Sequence, residues 1–380
     1  MNIPSIVLLI LTFIGTAYYI LSTLALIAHF TKKQRSKHQA QTQQPSISIL
    51  KPVNGLDYGA RDNFLAYLTQ NYDDYEVLFG VLDKDDPSTG VISDVIKAFP
   101  HASLHIGSDI DGANNKVKIL HNLLRYSSGE IIVITDADTC VKPGFLRRII
   151  SPFENEQIGA VTCMYRGSKA ASAADALEGL HMTCVFAPGV VCAAYISGVY
   201  FGLGAAIAIR REVLETLGGF EAIVDYLADD FQLGKRVAQA GYKVDLSDYV
   251  VDVVLCDENI RNVIARELRW AQAAKVGNPL GYLGYAVTYG FAYALLFLLA
   301  SGFSAIGWLV LGGVAAVRII TAYIGARKCM KDYEFTRRVS LLPVRDLLSP
   351  AIWIAAFFTD TITWRGRKLR LMKDGRMVIR

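Results

Sequence analysis

Two carboxylates spaced two apart, Asp136 and Asp138, close the apolar run Ile131-Ile-Val-Ile-Thr135. If the chain stays extended there, both project to one side. A hard cation such as Mg2+ or Mn2+ held by them can then bridge to diphosphate oxygens and neutralise a leaving group. Solvated turns also use Asp freely, so the pair takes its meaning from the buried strand before it. Upstream, the run 77–82 ends at Asp83, with Lys84, Asp85, Asp86 and Pro87 behind it. Asp83 either accepts from a uracil or ribose group or belongs to an Asp-rich turn closed by Pro87. Lys51 and Pro52 follow the first β-rich run, where backbone amides and a nearby cation can meet a nucleotide. The segment Asp111-Gly-Ala-Asn-Asn-Lys116 opens a helix-like run just before the acidic strand and offers Lys116 and Lys118 to phosphate.

Two further sites follow. Asp229 and Asp230 stand in a helix-like segment that ends near Gly241. One of them suits a general base, since transfer to a hydroxyl requires proton removal and a carboxylate within hydrogen-bond reach can supply it. A helix cap followed by an acid in the first turn accounts for the pair equally well. In Arg266-Glu-Leu-Arg269-Trp270 the three-residue spacing puts Arg266 and Arg269 on one face of a helix, with Trp270 turned away. Arginines bind diphosphates bidentately and tryptophan adds an apolar wall, while a basic helix at a membrane surface is the rival reading.

The elements that must position these residues read as a mostly parallel α/β sheet. Between Ile47 and about Trp270, β-rich runs at 46–50, 76–81 and 130–135 alternate with helix-like segments. Ligands in such sheets bind at the carboxyl ends of the strands, where the acids fall.

Around this domain the chain is apolar. Residues 6–30 are long enough to cross a hydrocarbon core, and Lys32, Lys33, Arg35 and Lys37 follow them, which predicts a retained anchor with the next residues in the cytoplasm. The Gln-rich stretch 36–46 is a polar linker. Residues 283–300 and 303–324 read as a tight membrane hairpin, with Arg318 snorkelling to the interface. Residues 347–362, interrupted by Pro350 and flanked by Arg337, Arg338, Arg345, Arg365, Arg367, Lys368 and Arg370, read as a re-entrant or interfacial helix. The apolar stretch 182–208 carries Pro188 and several glycines and reads as part of the domain, lining the way in for an apolar acceptor. The expected organisation is therefore an anchor at 1–31, a linker at 32–46, a cytosolic catalytic domain at 47–278, a hairpin at 279–326 and a basic segment at 327–380.

Composition agrees with a membrane protein. Of the 380 residues, 52% are hydrophobic, too many for an ordinary soluble chain. The net charge of +4 is small and the basic residues cluster beside apolar segments, so no nucleic acid is expected as partner. Six cysteines without CxxC spacing indicate neither a zinc site nor a disulfide framework, and the six histidines, His121 and His181 among them, carry no ligand spacing.

Taken in order, the acids and the Arg-Trp motif resemble the ceramide glucosyltransferase family, glycosyltransferase family 21, whose pattern is D, DxD, D and (Q/R)xxRW. The match runs from Lys51 to Trp270. Within the family the sequence is similar to a bacterial hopanoid-associated branch through Thr162-Cys-Met-Tyr-Arg-Gly167, Leu227-Ala-Asp-Asp230 and Glu267-Leu-Arg-Trp-Ala271. The resemblance implies an α/β fold of the GT-A type flanked by transmembrane helices, and a multi-pass protein of the cytoplasmic membrane with its catalytic domain in the cytosol. It implies a UDP-sugar donor, a divalent metal on Asp136 and Asp138, and a lipid acceptor glycosylated with inversion. Asp83 would meet the nucleoside, Lys51 and Pro52 the nucleotide, Lys116 the donor phosphates and Asp230 the acceptor proton, with Arg266, Arg269 and Trp270 closing the site. Two departures stand out: Asp229 where the family often has Glu, and Arg266 where it has Gln. They leave open which adjacent acid is the base. A processive polysaccharide synthase would share the acids but needs a channel, for which three or so apolar segments are few. A nonenzymatic nucleotide-sugar-binding membrane protein would not need DxD, base and arginines together.

Overall fold

A computed structural model describes residues 3–35, 44–256, 258–364 and 367–379, with backbone alone at Gln34, Arg35 and Ile379. Lys37 and the 36–43 part of the linker, Arg365 and Arg380 lie outside the described residues, as does the side chain of Arg35. The chain forms two compact units. A sheet unit comprises Lys33–Arg166, Ile196–Leu255 and Gly375–Arg380, and a helical unit comprises Met1–Lys32, Gly167–Tyr195 and Cys256–Asp374.

The sheet unit is built on eight strands: β1 (Ile47–Pro52), β2 (Tyr75–Val81), β3 (Ala102–Ile106), β4 (Ile131–Thr135), β5 (Thr139–Cys140), β6 (Ile158–Ser168), β7 (Ala206–Arg210) and β8 (Lys243–Val254). Their order is β3-β2-β1-β4-β7-β6-β8-β5. The first four are parallel, and β7 runs antiparallel to both β4 and β6. Every residue of β1 and β4 is buried, which explains the continuous apolar run of β4: a central parallel strand is covered on both faces. The covering side chains include Val117 and Leu120 from the Asn115–Tyr126 helix and Leu233 and Val237 from the Asp229–Gln239 helix. Because β2, β1 and β4 are parallel neighbours, their carboxyl ends lie side by side, which brings together Asp83 after β2, Lys51 and Pro52 at the end of β1, and Asp136 after β4.

In the helical unit three helices among the described residues, Ile3–Lys33, Ala173–Ser197 and Ala305–Cys329, are long and apolar enough to cross a membrane; the pair Pro279–Thr288 and Gly290–Ala300, bent by 50°, would add a fourth. Length alone misleads for the second of these. The chain before Ala173 forms β6 and the chain after Ser197 forms β7, and these strands are hydrogen-bonded neighbours. One crossing by Ala173–Ser197 would put two strands of one sheet on opposite sides of a bilayer, so this segment must leave and return on the same side. Gly15 and Gly290 bring two helices into backbone contact, since a Cβ on Gly15 would lie 2.4 Å from the Gly290 Cα.

Three expectations about arginines are corrected here. Arg318 does not snorkel: it is buried, and its guanidinium makes a two-point ion pair with Asp346 at 2.8 and 2.7 Å while lying over the Tyr19 ring. Arg345, read as a flanking charge, is 0% exposed and pairs with the buried Glu267. Arg338 is buried as well and pairs with Glu334. For Arg318 and Arg345 the partner is a buried acid that neutralises the guanidinium inside the unit, which removes the need to reach water; Glu334, the partner of Arg338, is partly exposed. The apolar stretch at 347–362 is helical only as far as Ala355, within Leu342–Ala355, and Thr361–Trp364 is a strand paired antiparallel with Arg367–Leu371.

Candidate active site

Three of the expected acids, Asp136, Asp229 and Asp230, are gathered around one ammonium. Lys116 sits in the first turn of the Asn115–Tyr126 helix, whose cap Asn114 accepts from the Val117 amide. Its Nζ lies 2.7 Å from Asp136 Oδ1 and 3.3 Å from Asp229 Oδ2. Burial works against this charge, but Asp136, Asp229 and Asp230 together outweigh it and raise the lysine above its ordinary range.

Asp136 is held in place from beneath. Lys51, 0% exposed, donates from Nζ to the Asp136 carbonyl at 2.7 Å and lies over the Tyr67 ring at 3.9 Å. Thr139 donates its hydroxyl to the same carbonyl at 2.6 Å and shares a hydrogen bond with the Tyr67 hydroxyl. Burial lowers the Lys51 ammonium to about 7, against the opposing pull of Asp138 and Asp136. Lys51 thus braces the acidic turn from the interior, and Pro52, also buried, ends β1 beside Gly80. On the far side of the turn, the Asp138 carbonyl accepts from the Val254 amide of β8 at 2.8 Å.

Asp229 and Asp230 open the Asp229–Gln239 helix in its first turn. The two acids differ in their company. Asp229 accepts from Lys116 and, at 3.4 Å, from the Asn114 side-chain amide. Asp230 accepts from the Phe231 amide and points toward Gly204. A Cβ at Gly204 would stand 3.1 Å from Asp230 Oδ2 and 3.5 Å from Asp136 Oδ2, so the missing side chain keeps the space between the two carboxylates open. Burial, then repulsion from Asp229, raises Asp230 to about 7 despite the nearby Lys116.

Asp83 lies at the carboxyl end of β2, exposed, with Oδ1 accepting from the Asp85 amide. Its neighbour Asp86 accepts from the Gly55 amide and from Ser88, which joins the β1 and β2 loops and starts the Ser88–Ile96 helix. The sheet unit therefore brings together Lys51, Lys116, Asp136, Asp229 and Asp230.

Arg266, Arg269 and Trp270 belong to the helical unit, on the Ile260–Gly277 helix. Their expected arrangement is corrected. Arg266 pairs with the buried Glu178 at 2.7 Å, and Trp270 stacks on His181 with ring centroids 6.0 Å apart. Glu178 and His181 both lie on the Ala173–His181 helix, so Arg266 and Trp270, four residues apart, share the face that packs there. Arg269 turns instead to the Trp364 ring, 5.5 Å away.

No group of three or more His, Cys, Asp or Glu able to hold a metal is assembled among the described residues. A donor set of one or two carboxylates completed by phosphate oxygens and water is nevertheless what Mg2+ accepts. The partly exposed Asp136 and Asp138 fit that description, and the ammonium already seated on Asp136 marks a place that favours positive charge. Sequence reading did not single out Gly204 or Tyr67, because neither carries a local signal; Asn114 did carry one, as a helix cap.

Comparison with known proteins supplies the family. Residues 7–377 match the profile of glycosyl transferase family 21. Ceramide glucosyltransferase 1 of Caenorhabditis elegans is 23% identical, covering 93% of this chain and 78% of that protein. Ceramide glucosyltransferase 3 of the same organism is 22% identical over 93% and 79% of the two chains. In fold, the chain is similar to a mannosyltransferase from Pyrobaculum calidifontis in complex with GDP-Man and Mn2+, with TM-score 0.51, 19% identity and coverage of 92% and 98%. That likeness gives the architecture, a GT-A glycosyltransferase domain with a parallel-rich sheet. Acids at the carboxyl ends of such a sheet, and a family match over nearly the whole length, lead to the conclusion that the chain belongs to glycosyltransferase family 21.

Proposed function

We propose that this glycosyltransferase moves a hexose or N-acetylhexosamine from a UDP-sugar to the hydroxyl of a membrane lipid, ceramide-like or hopanoid, with inversion. The observation that carries this reading is Asp230, a half-buried carboxylate raised to about 7 that faces Asp136 across the space left by Gly204. A base poised near neutrality takes the proton of an acceptor hydroxyl as the anomeric bond breaks. Asp229, engaged by Lys116 and Asn114, serves as the neighbour that raises it. Asp136 and Asp138 would hold a divalent metal, which when bound neutralises charge on the departing diphosphate. Lys116 offers the donor phosphates a second cation, Asp83 meets the nucleoside, and Lys51 with Pro52 shapes the loop beneath it.

The test is metal dependence. Asp138→Ala abolishes transfer while leaving the fold, because an acid at a strand end near solvent organises the cation and diphosphate and is not part of the core. Chelation of divalent metal does the same to the unaltered enzyme. Full activity in chelator would end the metal assignment.

For the membrane, the reading places the catalytic domain (47–278) on the cytosolic face. Lys32 and Lys33 orient the first helix, the hairpin within 279–326 crosses twice, and the helix Leu342–Ala355, too short for a typical span, lies in the inner leaflet or interface. Reporters fused near Lys331 and after Arg380 are both expected to read cytoplasmic. An external signal after Arg380 alone would make the last apolar segment a fourth crossing.

A further inference from the structure

The helix that begins with Asp229 and Asp230 has a weakly secured start. Its cap, Ala228, has no side chain that can hold the first turn. What fixes its position is the short segment just before it, 224–227, whose backbone is held from two directions. On one side lies the loop before Lys116: the Asn114 amide donates to the Val224 carbonyl at 2.9 Å, the Asn114 side chain donates to the Tyr226 carbonyl at 2.8 Å, and the Ala113 amide donates to the Asp225 carboxylate at 3.0 Å. On the other lies a stretch from far along the chain. The Met377 amide donates to the Asp225 carbonyl at 2.7 Å, the Leu227 amide donates to the Gly375 carbonyl at 3.2 Å, and Tyr226 and Arg376 form an antiparallel bridge. Met377 and Leu227 are both buried, and Gly375 has φ 90°, which favours glycine there.

We infer that residues 375–377 form a strap that positions Asp230 for proton removal, acting through the backbone of 225–227. This rests on the reading of Asp230 as the base. The strap touches neither acid. Its hydrogen bonds end on Asp225 and Leu227, which precede Asp230 by five and three residues, and Ala113 and Asn114, just before the helix that carries Lys116, hold the same segment from its other edge. Releasing one edge of a segment held at two leaves the helix start free to shift against Lys116 and Asp136, and misplacement of a reacting group by about 1 Å costs about 100-fold in rate.

The experiment compares Met377→Pro, which removes the amide donated to Asp225, with Met377→Ala, which keeps that amide and only trims the side chain. Each is made in the full-length protein, alone and with Asp230→Asn. Met377→Pro is expected to lower kcat by about 100-fold, to move the acid limb of its pH profile, and to leave donor KM within about threefold. Met377→Ala should retain most of kcat. In the Asp230→Asn background Met377→Pro should add little further loss, since the group it positions is already disabled. Three results overturn the strap: unchanged kcat and pH profile per folded molecule in Met377→Pro, a loss confined to thermal stability, or an undiminished further loss in the Asp230→Asn background. Failure of the base reading itself is separable, because it shows as retained kcat in Asp230→Asn alone.

Discussion

Asp230→Asn is expected to reduce kcat by about 100- to 10,000-fold while donor binding stays near that of the unaltered enzyme. The amide preserves the shape and the bond from the Phe231 amide but cannot take a proton. The pH dependence follows with a definite sign. Burial and Asp229 raise this carboxyl to about 7, so below that pH the base is increasingly protonated and kcat falls about tenfold for each further pH unit. Raising the pH through 7 restores it. The charges of Asp229 and Asp136 raise Asp230 and that of Lys116 lowers it, so the limb should move when any of these neighbours is neutralised. Rate measurements from pH 5 to 9 check this: the acid limb present in the unaltered enzyme should vanish in Asp230→Asn. If Asp229→Asn proves the more damaging change, the base is the neighbouring acid.

Arg318→Ala is expected to be the most destabilising of the changes considered, at about 3–5 kcal/mol. The guanidinium and the Asp346 carboxylate are both almost fully buried, at 7% and 6% side-chain exposure, and satisfy each other at two points. Arg318 also donates to the Cys184 carbonyl at 3.2 Å. Removing one partner leaves the other charge buried and alone, which costs far more than the net worth of the pair. Replacing both with apolar residues, Arg318→Met with Asp346→Leu, should recover much of the loss for the same reason. Thermal unfolding of the detergent-solubilised protein measures this. The single change should lower Tm by about 5 °C or more, with partial recovery in the double change. Equal Tm values across the three proteins would show that the pair carries no stability.

What could be read from the sequence divides along the range of the interactions. Asp136 and Asp138 were legible because their signal is local: a run of buried apolar residues that stops at two acids reads as a strand end. The helix that Lys116 opens was legible as a helix-like run after the 111–116 segment, and the end of the Asp229–Gln239 helix through Gly241, which has φ 89°. The fold class followed from the same alternation. The arginines were not legible. The ion pairs of Arg318 with Asp346, Arg345 with Glu267 and Arg266 with Glu178 join residues 28, 78 and 88 positions apart, and nothing near each arginine announces its partner. An Arg at the edge of an apolar helix reads as snorkelling, and only tertiary structure reverses that. The faces of Arg266, Arg269 and Trp270 escape the sequence for a related reason. Spacing permits several pairings on one helix, and Glu178 and His181 select Arg266 with Trp270. The strap of 375–377 on 225–227 was equally invisible, being made of backbone bonds between segments far apart in the chain.

The most direct measurement is of the product. The purified protein in lipid is given UDP-glucose, UDP-galactose or UDP-N-acetylglucosamine with ceramide or a hopanoid polyol, with Mn2+ or with EDTA, and the lipid fraction is weighed by mass spectrometry. The account predicts one acceptor carrying a single added sugar from a UDP donor, formed with metal, absent with EDTA, and absent with Asp230→Asn. A polysaccharide in place of a glycolipid, or no transfer to lipid from any UDP-sugar under these conditions, would contradict it.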